Sequence, residues 1–154
     1  MKKILLLCCT AALLFSCKKK EERITLRTEI ITEGQWKITA SVTELRVNGQ
    51  TTTTDLYALM PDCVKDNLYK FNMDGSVTTD EGDTKCDPNA PQTFVNPGGK
   101  WEFTDADTKI RITDTSMAVL STIVSLDNTG MVLKYETNVN DVPATTITEY
   151  AHIR

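Results

Sequence analysis

The strongest constraint on this chain is a two-residue rhythm of apolar side chains, interrupted at short intervals by turn dipeptides. Trp36, Ile38, Ala40 and Val42 alternate with Lys37, Thr39, Ser41 and Thr43. Successive residues of a strand face opposite ways, so the pattern predicts a strand with its even-numbered face inward. Past Thr43 the apolar positions become odd, at Leu45 and Val47, which a bulge near Thr43-Glu44 or a strand end would produce. Asn48-Gly49 and Asp74-Gly75 are hairpin turn signals. Between them, Thr51–Thr54 reads as a loop or an exposed strand. Leu56, Leu59 and Met60 fit one helical turn stopped by Pro61. Tyr69, Phe71 and Met73 then share one strand face.

The second half repeats the rhythm. Residues 80–99 are acidic and then rich in Pro, Asn and Gly, the composition of a long surface loop. Trp101 and Phe103 face inward from a strand opening at Gly99. Asp105-Ala106-Asp107 turns the chain, and Ile110 and Ile112 oppose Lys109 and Arg111. The segment from Met117 to Leu126 is apolar on both faces. After Asp127-Asn128-Thr129-Gly130, the positions Met131, Leu133 and Tyr135 alternate with Val132, Lys134 and Glu136. Residues 138–143 read as a loop, and Thr145 to Ile153 as the last strand. About eight strands with almost no helix make an all-β barrel or sandwich. Because each strand turns directly into the next, an antiparallel up-and-down β-barrel is expected.

The N-terminal segment has a different design. Met1-Lys2-Lys3 is a short basic region, and Ile4 to Phe15 an apolar run too short for the roughly 20 residues of a spanning helix. Leu13-Leu14-Phe15-Ser16-Cys17 resembles a bacterial lipobox. The resemblance implies that residues 1–16 are a cleaved signal peptide and that Cys17 is lipidated, holding the protein to a membrane through several acyl chains. Residues 17–29 are then the lipidated cysteine and a charged tether, and residues 30–154 the barrel domain. Lys18 is not the aspartate that typically retains lipoproteins in the inner membrane, so an outer-membrane location is expected. Lys20-Glu21-Glu22 resembles a surface-export signal of lipoproteins of the Bacteroidota, which implies surface exposure. Without that signal the protein would lie on the periplasmic face.

With residues 1–16 removed, 15 basic residues face 21 acidic ones, a balance of −6. Such a surface gives no basic footprint for nucleic acid. Cys8 and Cys9 leave with the signal, which leaves Cys63 and Cys86. An even pair in an exported domain reads as one disulfide, and two thiols cannot fill a zinc site alone.

Several of these elements carry a family resemblance. Gly34-Gln35-Trp36 at the start of the first strand resembles the glycine-x-tryptophan motif that opens lipocalins. Cys63, Leu68 to Phe71, Asp74-Gly75, Cys86 and Gly99-Lys100-Trp101, in that order, resemble the pattern of lipocalin-like domain lipoproteins of the Bacteroidota over about residues 30–154. The resemblance implies a lipocalin-like barrel whose first tryptophan, Trp36, plugs the closed end. It brings no established ligand or reaction. The chain departs from lipocalins in lacking a long C-terminal helix after the barrel, so their transport role does not carry over with the fold.

Chemistry is sparse. His152 is the one histidine and reads as a surface group beside Tyr150 and Arg154 on an end strand. Nothing frames a nucleophile, so no catalytic residue and no enzyme activity is expected. The acidic run Asp80-Glu81-Gly82-Asp83 with Asp87 lacks the ligand spacing and closing glutamate of a calcium loop, and no metal or cofactor is expected. Trp36 and Phe71 are expected in the barrel core, and Trp101, Phe103 and Tyr135 as ligand-binding residues nearer the mouth. The leading expectation is a binding module for a small apolar or glycan-like ligand, or for an envelope protein partner. The alternative is a solid barrel serving as a structural accessory subunit of an outer-membrane complex.

Overall fold

A computed structural model describes residues 26–154; Cys17, Lys20-Glu21-Glu22 and the rest of residues 1–25 lie outside the described part. Residues 26–32 are helical (α1). Nine strands follow: β1 Gln35–Val47, β2 Gln50–Asp55, β3 Leu68–Phe71, β4 Ser76–Asp80, β5 Thr93–Thr104, β6 Lys109–Thr113, β7 Ala118–Leu126, β8 Gly130–Val139 and β9 Val142–Ile153. Two single-turn helices, α2 Leu56–Leu59 and α3 Asp62–Lys65, join β2 to β3. All pairings are antiparallel. The order is β2-β1-β3-β4-β5-β6-β7-β8-β9, and β9 returns to β1. Eight strands therefore close a barrel in meander order, and β2 is an additional strand. The lower part of β1 pairs with β3 through Trp36 and Lys37, and its upper part, from Val42 to Val47, pairs with β2.

Turn chemistry places the reversals. Asn48 and Gly49 (φ 50° and 80°) form a two-residue hairpin, as do Asn140 and Asp141 (φ 50° and 64°). These positive angles match the twist of hairpin strands. The expected loop at 138–143 is thus a tight turn, with Asn138 paired to Pro143. Three turns share one device, an aspartate Oδ1 accepting backbone N–H groups ahead of it. Asp74 accepts from Ser76 (2.9 Å), Asp114 from Ser116 (2.7 Å) and Asp127 from Thr129 (2.7 Å).

Four local expectations change. Residues 26–29, assigned to the tether by their charge, are helical, because Ile30 and Ile31 on the same helix pack against the core and Ile31 is fully buried. The bulge in β1 sits at Thr39 rather than near Thr43-Glu44, since Ile38 pairs with Tyr150 but Ala40 with Glu149. Strand β5 opens at Thr93, ahead of Gly99. Thr93 to Val95 pair with β4, and residues 96–99 bulge out, where Pro97 needs no ladder N–H. Met73 lies outside β3, exposed in the hairpin.

The core fills one end of the barrel. Trp36 is fully buried, and its indole Nε1 donates to the Ile31 carbonyl oxygen at 2.9 Å, docking α1 across that end. Phe71, Trp101 and Phe103 stack edge to face, with centroids 5.9 and 5.4 Å apart, a favoured aromatic geometry. Ile110, Met131 and Leu133 complete the plug. Beside the barrel, a disulfide joins Cys63 of α3 to Cys86 of the β4–β5 loop, with Cα atoms 5.2 Å apart. That separation lies within the range a disulfide spans.

Candidate functional site

The bulge at Thr39 decides what the other end of the barrel offers. One extra residue reverses the strand's parity, so Ser41 and Thr43 face inward in place of Ala40 and Val42. Directly opposed residues share a face, and the register sets Ser41 against Thr148 and Thr43 against Thr146. Their hydroxyls meet at 3.2 and 2.7 Å. Each pair uses one O–H as donor, so the other O–H in the pair stays available, together with acceptor lone pairs. This hydroxyl ladder climbs the inner β1–β9 wall above the aromatic plug.

Across from it the wall is aliphatic. Ile112 of β6, Val119 of β7 and Leu133 of β8 bound a cavity of about 300 Å3, and Thr146, Thr148, Ser121, Tyr135 and Tyr150 complete it. No charged side chain lines it among the described residues. Val119, Tyr135 and Thr146 are half-buried, so the space communicates with solvent. Tyr150 forms the floor next to the plug. Burial, reinforced by nearby Tyr69, pushes its phenol well above the ordinary tyrosine range, so it stays a neutral donor and acceptor.

The expected site residues divide between the two ends. Tyr135 lines the cavity. Trp101 and Phe103 sit in the aromatic cluster at the plugged end, and the Trp101 Nε1 donates to the Asn72 carbonyl oxygen at 2.8 Å. Trp36 and Phe71 are buried in the core. The hydroxyl side chains and the aliphatic wall did not enter the expected site. The one sequence signal of the β1 hydroxyls is the reversal of apolar parity along β1, which marks a bulge without locating it.

The remaining candidates lie elsewhere. His152 is half-buried at the plugged end, with its ring 4.8 Å from that of Trp36. Nε2 faces the Glu33 carbonyl oxygen at 2.7 Å and Nδ1 that of Asn128 at 3.0 Å. A ring flanked by two carbonyls ties α1 and the β7–β8 turn to β9, so the histidine is a structural clamp and not a free surface group. In the acidic run, Asp80 accepts from Gly82 and Gln92, and Glu81 from the Cys86 N–H. Among the described residues, no group of three or more His, Cys, Asp or Glu side chains is placed to hold a metal ion. An outer groove of about 380 Å3 runs between Asp74, Lys100, Glu102 and Arg111. It is larger than the inner cavity, but it lies on the solvent side and its Arg111 is paired with Glu102 at 2.6 Å. Groups so paired and hydrated gain little from a ligand.

The family profile of the lipocalin-like domain matches residues 32–133, and the chain belongs to that family. Among curated proteins, none matches the sequence. The fold is typically that of a binding domain, consistent with a barrel plugged at one end and hollow at the other.

Proposed function

We propose that this lipocalin-like barrel captures a small, uncharged, amphipathic molecule in its hollow end, working from a membrane to which lipidated Cys17 tethers it. The cavity carries the reading: an aliphatic wall faces a hydroxyl ladder and no charged group lies between them. A buried charge without a partner costs several kcal/mol, which disfavours fatty-acid carboxylates and phosphates. Apolar rings or chains carrying hydroxyl or carbonyl groups fit both walls. At the packing density of protein interiors, the volume takes roughly a dozen non-hydrogen atoms. The accessory-subunit alternative calls for a filled interior, a condition that only the plugged end meets.

The envelope part of the proposal rests on the sequence. The basic and apolar run before Cys17, the lipobox resemblance and the pattern shared with lipocalin-like lipoproteins of the Bacteroidota support an outer-membrane lipoprotein, with Lys20-Glu21-Glu22 supporting surface exposure. Fatty-acid labelling tests it: label should be lost in Cys17→Ser, and label retained there would refute the anchor.

For the cavity, a matched pair of probes decides. Naphthol is neutral with one hydroxyl, and naphthoate is a similar ring system carrying a charge. Fluorescence titration should show saturable naphthol binding with naphthoate at least about tenfold weaker, the factor set by about 1.4 kcal/mol. Equal binding of both, or of neither, contradicts the proposal. Preference for a methyl glycoside over naphthol would move it to a glycan ligand.

A further inference from the structure

Strand β2 lies outside the closed barrel, and one of its edges is unpaired along the whole strand. The strand pairs with β1 alone, and because β9 closes on β1, β2 is the one end of the sheet order. Gln50 to Thr53 and Asp55 are exposed and Thr54 is half-buried, so neither face of the strand is covered. Natural edges are commonly blunted by lysine, proline or a bulge. Gln50-Thr51-Thr52-Thr53-Thr54 has no lysine or proline, and its register with β1 is unbroken.

Backbone parity fixes what such an edge can accept. The two-residue Asn48-Gly49 turn makes Val47 and Gln50 the closing pair, and the closing pair of such a hairpin is hydrogen-bonded. Alternation then turns Gln50, Thr52 and Thr54 toward β1. Thr51 and Thr53 direct their N–H and C=O groups to the free edge, and Asp55 directs its N–H there.

We infer that β2 is a self-association edge, on which a second copy of this chain pairs antiparallel about a two-fold axis at Thr53. In that register Thr53 meets Thr53, Thr52 meets Thr54, and Thr51 meets Asp55, with every outward-directed residue of the strand engaged. Cross-strand threonine pairs are favourable. The Asp55 Oδ1 already accepts the Ala58 N–H at 2.9 Å, which leaves Oδ2 to accept from the Thr51 hydroxyl of the second copy. Moving the axis to Thr52 or Thr54 strands one outward residue, and moving it to Asp55 sets two carboxylates face to face. The segment is thus complementary to itself in one register. The two-fold pairing uses the β2 edge of both copies, so the assembly closes at two copies rather than growing. This inference is independent of what the cavity binds.

Sedimentation velocity of the full-length lipoprotein in detergent is the test, and a dimer is expected. Thr53→Pro deletes an N–H that points away from β1, a position where proline is tolerated; it should give monomer with unchanged melting. Should that variant fail to fold, Thr53→Lys decides, since two ammonium groups facing across the axis should weaken the dimer at least about tenfold. Thr53→Cys should crosslink into a covalent dimer under mild oxidation, whereas Ser116→Cys, in an exposed turn, should not. A wild-type monomer, an undiminished Thr53→Lys dimer, or equal crosslinking of the two cysteine variants would overturn the inference.

Discussion

The two ends of this barrel are built from the same meander but filled by different rules. At the plugged end, Trp36, Ile31, Phe71, Trp101 and Ile110 are buried against one another. The polar rings there are tied off: the Trp36 and Trp101 indoles reach backbone carbonyls, and His152 lies between two more. At the hollow end, Ser41 and Thr43 are bonded to Thr148 and Thr146, and the two threonines of β9 face a cavity. One inserted residue at Thr39 separates the regimes. Below it β1 presents Trp36 and Ile38 to the interior, and above it serine and threonine. The contrast teaches that stability and binding capacity are assigned to different heights of the same strands, so substitutions at the two ends should have separable effects.

The largest separation should come from Trp36→Ala. It opens a cavity at the plug, orphans the Ile31 carbonyl and undocks α1, so urea unfolding should lose about 3–5 kcal/mol. Next is reduction of Cys63–Cys86, whose 23-residue separation corresponds to about 3 kcal/mol in the chain-entropy picture. Because the disulfide lies outside the cavity, naphthol affinity measured below the unfolding transition should not change. Thr146→Val, at the hollow end, removes the partner of Thr43 and should cost only about 1 kcal/mol. A loss matching that of Trp36→Ala would erase the distinction between the ends.

The smallest effect concerns pH. Hydrogen bonds hold the carboxyls of Asp74, Asp114 and Asp127 below the ordinary range: Asp74 chiefly from the Ser76 hydroxyl, Asp114 from the Ser116 N–H and Asp127 from the Thr129 hydroxyl. A depressed folded value means the stabilisation is full above the unfolded carboxylate value of about 3.9 and is lost as pH falls through the folded values. Replacing all three with asparagine should lower the melting temperature at neutral pH, where the stabilisation is full, leave the acid end nearly unchanged, and so flatten the acid limb of melting temperature against pH. An acid limb as steep as wild type would show that these turns contribute nothing to it.

Much of this was legible in the chain. Where the inward face is apolar, alternation locates it: Trp101 and Phe103, Ile110 and Ile112, Met131 and Leu133. The Asn48-Gly49 and Asp74-Gly75 turns fall where their φ requirements put them. Of the hollow end, alternation located Ile112, Leu133 and Tyr135 but not the hydroxyl ladder. Hydroxyl side chains facing a cavity look like solvent-facing ones, and the bulge that turns Ser41 and Thr43 inward is defined by register against β9, a strand about a hundred residues away. The N-terminal helix was hidden by its charges, since Arg27 and Glu29 precede the apolar pair that docks and Glu33 follows it. At 96–99, proline and glycine signalled loop while the residues just before them already paired with β4.

The central claim is that the hollow end binds without carrying the fold. Val119 is half-buried on the cavity wall, so Val119→Phe fills the space without removing a hydrogen bond. Naphthol titration and urea unfolding of that one variant test the claim together. Binding should fall at least about tenfold while stability stays within about 1.5 kcal/mol of wild type. Undiminished naphthol binding, or a stability loss as large as that of Trp36→Ala, would contradict it.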